Sequence, residues 1–112
     1  MKTFKNQAAQ GDMLITRVES IPADVERSVH DGADYTVTHS ETGHNHVMEQ
    51  KNAEFYTAKN DPFVMYMVVK EDTQLRHLRA FDTHESINVT PGKYRINRQR
   101  EHMAEGFRRA AD

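Results

Sequence analysis

Apolar and polar residues alternate along most of this chain with the two-residue period of a half-buried strand, and little of it carries the 3.6-residue period of a helix. Met13 to Val18 (MLITRV) follows the turn pair Gly11-Asp12, is rich in strand formers, and is closed by Ile21-Pro22. Residues 23–34 have a weak apolar period and contain Asp31-Gly32, so they are expected to form a loop. Tyr35, Val37 and His39 share a face of the next strand, and Ser40-Glu41-Thr42-Gly43 has turn chemistry, which predicts a hairpin with histidines on both limbs. Glu54 to Ala58 predicts a short strand ended by Lys59-Asn60-Asp61-Pro62. Phe63 to Val69 (FVMYMVV), the longest apolar run, predicts a central strand covered on both faces. Leu75 to Phe81, then Ile87 with Val89, then Tyr94 with Ile96 continue the alternation, with Pro91-Gly92 as a tight turn.

About seven short strands at spacings near ten residues argue for an all-β domain, a small barrel or sandwich. A helix is expected only at Glu101 to Ala110, where Gly106 interrupts it. At 112 residues the chain is expected to form one domain, with residues 1–10 and 104–112 as peripheral tails. A mean hydropathy of -0.85 and five Phe make the core thin, so a homodimer is the expected state.

Composition narrows the chemistry. There is no cysteine, which excludes disulfides, thiolate metal sites and cysteine nucleophiles. No segment approaches the roughly 20 apolar residues of a membrane span, and residues 1–10 have no apolar signal core, so the expected location is the cytoplasm. The net charge of -2 is unevenly spread: from residue 93 onward Lys93, Arg95, Arg98, Arg100, Arg108 and Arg109 outnumber Glu101, Glu105 and Asp112.

The pointed feature is a histidine cluster. His44 and His46 are two residues apart, so strand periodicity sends both imidazoles to one face, where they can supply two nitrogens of a metal shell. Further ligands must come from other strands. His84 is favoured because Asp82-Thr83-His84-Glu85 is a polar bend between strands, and His77, His39, Glu49 and Glu85 follow. A shell of His and carboxylate suits a divalent Zn, Fe, Mn or Ni ion, and an open coordination position would activate water. Nothing in the sequence names a catalytic residue, since Ser40 beside His39 and Glu41 lacks a nucleophile elbow and there is no phosphate-cradling glycine loop.

Gly43-His44-Asn45-His46-Val47-Met48-Glu49 resembles the first motif of the cupins, a glycine, then HxH, then a glutamate, and Pro91-Gly92 resembles the PxG of their second. The resemblance implies a β-barrel with a metal held by His44, His46 and Glu49. It departs in its glycine and glutamate spacings and lacks the histidine that should follow Pro91-Gly92. The series Gln10-Gly11-Asp12, Thr42-Gly43-His44-Asn45-His46, His84-Glu85 and Pro91-Gly92-Lys93-Tyr94-Arg95 is similar to a group of small phage and bacterial β-rich proteins. That second likeness covers most of the chain, implies no activity, and makes a virion component or a host-directed inhibitor a rival to the metal site.

In the rival reading the basic segment around Arg95, Arg98 and Arg100 engages an acidic protein. Nucleic acid is the weaker partner, because the aromatic residues interleaved with those arginines are only Tyr94 and Phe107.

Overall fold

The computed structural model describes residues 2–10, 13–38, 45–77 and 86–98, which form strand after strand. These are β1 (Lys2–Thr3), β2 (Gln7–Gln10), β3 (Met13–Val18), β4 (Val25–Ser28), β5 (Asp34–Thr38), β6 (His46–Glu49), β7 (Ala53–Ala58), β8 (Val64–Val69), β9 (Thr73–His77), β10 (Ile87–Val89) and β11 (Gly92–Arg98). A 3-10 turn, Gln50–Asn52, joins β6 to β7. Among the described residues no helix is long and apolar enough to cross a membrane.

The strands make two sheets, ordered β1-β10-β9-β6-β5 and β2-β3-β11-β8-β7-β4, antiparallel at every pairing except β1 with β10. The all-β class expected from the alternation is realised as a sandwich. The five-stranded sheet turns Tyr35, Val37, Met48, Leu75, Ile87 and Val89 inward, against Ile15, Phe55, Met65, Met67, Tyr94 and Ile96 of the six-stranded sheet. Tyr35 ties the layers together: its ring lies parallel to Phe55 at 4.1 Å and to His30 at 3.9 Å, and its hydroxyl donates to Ser28 Oγ at 2.7 Å.

The departures from expectation have local reasons. Phe63 to Val69 contains the interior strand β8, but it is not covered on both faces: Met65, Met67 and Val69 are buried, whereas Val64, Tyr66 and Val68 are half-buried. The apolar outward residues of β8 lie on the outer side of the six-stranded sheet. Residues 1–10 do not form a mere tail, because Gln7–Gln10 pairs with β3 and buries Ala8 and Gln10. QAAQ lacks large apolar groups, so its pairing with β3 at the sheet edge leaves little trace in the hydrophobic pattern. Within residues 23–34, expected to be a loop, Val25–Ser28 forms the edge strand β4 on β7. An edge strand can be held by its ladder with little apolar burial, so periodicity does not reveal it. The hairpin tip at residues 40–43 and the helix expected at 101–110 lie outside the described residues.

Candidate metal centre

His46 opens β6 with its imidazole turned into the sandwich, 2% exposed, on the same face as Met48. A buried imidazole needs partners, and this one has a partner from the other sheet: Nδ1 of His46 lies 2.6 Å from Oε1 of Gln10 in β2. The other end of the same amide fixes which atom faces the ring. Gln10 Nε2 donates to the Leu75 carbonyl at 3.1 Å, and since a carbonyl can only accept, Oε1 is the atom left for His46. Nδ1 must then carry a proton and donate it to Gln10 Oε1. A histidine whose second nitrogen is anchored to an oxygen acceptor is the arrangement found behind metal-ligating imidazoles.

Register brings further histidine positions to this end. His77 pairs directly with His46 across β6 and β9, and Thr38 pairs with His46 across β5 and β6 after a shift in register. Ser86 precedes Ile87, which pairs with Leu75. Residues 38, 45, 77 and 86, which bound the segments carrying His39, His44 and His84, therefore stand at the same end of the five-stranded sheet. His39, His44 and His84 themselves lie outside the described residues. Among the described residues no group of three or more His, Asp or Glu is assembled.

Glu49 is carried away from this end. It lies three residues along β6, on the opposite face from His46, and its carboxylate is 3.3 Å from Lys51 Nζ. It lines a cavity of about 260 Å³ with Asn52, Asp72, Gln74 and Arg76 at the other end of the sheet.

The basic segment divides. Arg98, the last residue of β11, turns its guanidinium to the protein, donating to the Val37 carbonyl at 3.1 Å and to the Pro62 carbonyl at 2.7 Å. Through Val37 it latches β11 to β5 of the other sheet. Arg95, three residues earlier, is exposed on the outer face. Arg100 lies outside the described residues.

Sequence reasoning gave Gln10 no part in the site. A glutamine in a polar tetrapeptide gives no local signal, and its role appears only when two sheets bring residues 36 positions apart into contact.

No curated protein and no solved structure matches the chain. The model of one family, described as Domain of unknown function (DUF8820), matches residues 9–99, a span that takes in Gln10, His46, His77 and Arg98, and the chain therefore belongs to that family.

Proposed function

We propose that the protein is a cytoplasmic metal-binding β-sandwich whose divalent ion is held at the His46 end, by His46 Nε2 together with His44, His77 and His84. The observation that supports it is the chain of hydrogen bonds from the Leu75 carbonyl through the Gln10 amide to His46 Nδ1, which anchors and orients the buried ring. The donor set is nitrogen-rich and free of thiolate, which suits Zn, Fe, Mn or Ni. Such an ion, bound with an open position, supplies Lewis acidity and activates water. The residues' own contribution is positional: Gln10 sets the tautomer, and the β6–β9 pairing sets His46 opposite His77. Glu49 has no part in this site, being on the other face and beside Lys51. The absence of cysteine accords with a reducing compartment.

Elemental analysis of the untagged full chain, after incubation with each ion and gel filtration, tests the reading. Near-stoichiometric metal that is lost in His46→Ala and in the His44→Ala, His84→Ala double variant is the expected result. Because His46→Ala opens a buried site, the double variant, read beside a circular dichroism spectrum, separates lost metal from lost fold. Wild-type protein that retains none of the four ions overturns the proposal.

A further inference from the structure

The outer face of the six-stranded sheet carries a row of side chains that no stretch of sequence displays. Register aligns Thr16 with Arg95, Arg95 with Tyr66, Tyr66 with Tyr56, and Tyr56 with Arg27, so one line crosses β3, β11, β8, β7 and β4. Thr16, Arg95, Tyr66 and Tyr56 alternate with buried residues such as Ile15, Tyr94, Met65 and Phe55, which places them outward, and Arg27 shares their face through its pairing with Tyr56. Neighbouring rungs are about 4.8 Å apart. The two tyrosines are thus adjacent, half-buried and flanked by an arginine on each side, and the Arg27 guanidinium sits 5.9 Å from the Tyr56 ring centroid. The next row adds Lys93 opposite Val68, and Lys70 pairs with Glu54 at 2.7 Å. Arg27, Arg95, Lys93 and Lys70 share this face with Glu54, Asp24 and Asp61, a small cationic excess in a chain that is acidic as a whole, and Arg27 lies 3.8 Å from the Glu54 carboxylate. Beside Tyr66 and Arg95 the face dips into a cavity of about 300 Å³, walled by Val25 and Val64 with Asp24 and Asp61 at its rim.

We propose that this face binds single-stranded nucleic acid, with Tyr66 and Tyr56 as stacking platforms for bases and Arg95, Arg27 and Lys93 meeting the backbone phosphates. Every base offers a planar π-face, and aromatic side chains on an open sheet flanked by cations are how sequence-tolerant single-strand binding works. A duplex hides its base faces, and an acidic polysaccharide meets the cations but offers no aromatic π-face to match the tyrosine pair. The cavity beside Tyr66 is of the size that admits one small planar group, and the carboxylates of Asp24 and Asp61 can accept from exocyclic amino groups there. The aromatics beside Arg95 come from β8 and β7 and not from its own strand, where Tyr94 points into the core. This inference does not depend on the proposed metal site, since His46 is on the inner face of the other sheet.

Fluorescence anisotropy with the full chain and a labelled mixed-sequence strand of about 16 nucleotides, as DNA and as RNA, tests it. Saturable binding to at least one strand is expected, weakened about five- to a hundredfold by Tyr66→Ala and retained by Tyr66→Phe. Arg95→Ala, an exposed change, should flatten the salt dependence between about 50 and 200 mM. Circular dichroism of each variant confirms the fold. The proposal is overturned if neither strand binds, if Tyr66→Ala binds as wild type, or if a duplex of the same sequence or heparin binds as tightly as the single strand.

Discussion

Gln10 of one sheet and His46 of the other are joined by a 2.6 Å contact between amide oxygen and imidazole nitrogen, wholly inside the sandwich. Replacing Gln10 with Leu leaves a buried N–H of His46 and the Leu75 carbonyl without this partner. The expected cost is about 1–3 kcal/mol, read as a lower denaturant midpoint at unchanged slope. If the metal reading is right, the same variant also binds the ion about 10- to 100-fold more weakly, because the imidazole loses its anchor. Glu at position 10 keeps an acceptor oxygen and should restore more of the metal affinity than Leu does.

Arg98 and Arg95 occupy one strand and should respond oppositely. Arg98→Ala removes the bonds to the Val37 and Pro62 carbonyls and is expected to destabilise by about 1.5–3 kcal/mol, the range for hydrogen bonds to a charged group. Arg95→Ala, exposed on the outer face, should stay within about 0.5 kcal/mol of wild type. Equal effects of the two substitutions on thermal unfolding would contradict the latch assigned to Arg98.

Gly92 begins β11 with a φ of +154°, and a Cβ there would overlap the Arg17 guanidinium. That guanidinium cannot simply swing away, since it donates to the Lys5 carbonyl at 2.8 Å, the Pro91 carbonyl at 3.1 Å and Thr90 Oγ1 at 2.9 Å and covers the Tyr94 ring. Gly92→Ala is therefore expected to destabilise by about 1–3 kcal/mol. Adding Arg17→Ala should relieve the clash, so the double variant is less destabilised than the two single costs predict, a coupling that a double-mutant cycle measures.

Glu54 accepts from Lys70 and from the Tyr56 hydroxyl, and these bonds hold its carboxyl below the ordinary value of 4.5. The carboxylate thus contributes stability that is fully present above the unfolded value and is lost as pH falls through the lower folded one. Tyr56 shifts the other way, raised above 10.0 because its hydroxyl is bonded to Glu54, so its contribution is present below 10 and lost as pH rises through the folded value. Glu54→Gln should flatten the acid limb of a plot of denaturant midpoint against pH and reduce the alkaline one, both modestly, because Lys70 is well exposed to solvent. An acid limb as steep in the variant as in wild type would mean that other carboxylates carry it.

Much of the architecture is legible in residue order. The alternation at Tyr94 and Ile96, and at Ile87 and Val89, reports which side chains are buried, because a strand in a two-layer sandwich has one wet and one dry face. The same rule marks His46 as sharing a face with Met48, so its burial follows from Met48 being core. Strands that bury little, β2 and β4, leave no such trace.

By itself, then, the order of residues determined the all-β class, most strand positions and the exclusion of thiol chemistry. Tertiary structure alone decided that Gln10 supports His46, that Glu49 faces away from it, that Arg98 serves as a latch 61 residues from its carbonyl at Val37, and that Arg95 lies beside two tyrosines from other strands. The division has one cause. Facing along a strand is a local property with a period of two, whereas which strands become neighbours, and in what register, is set by the packing of the whole sandwich.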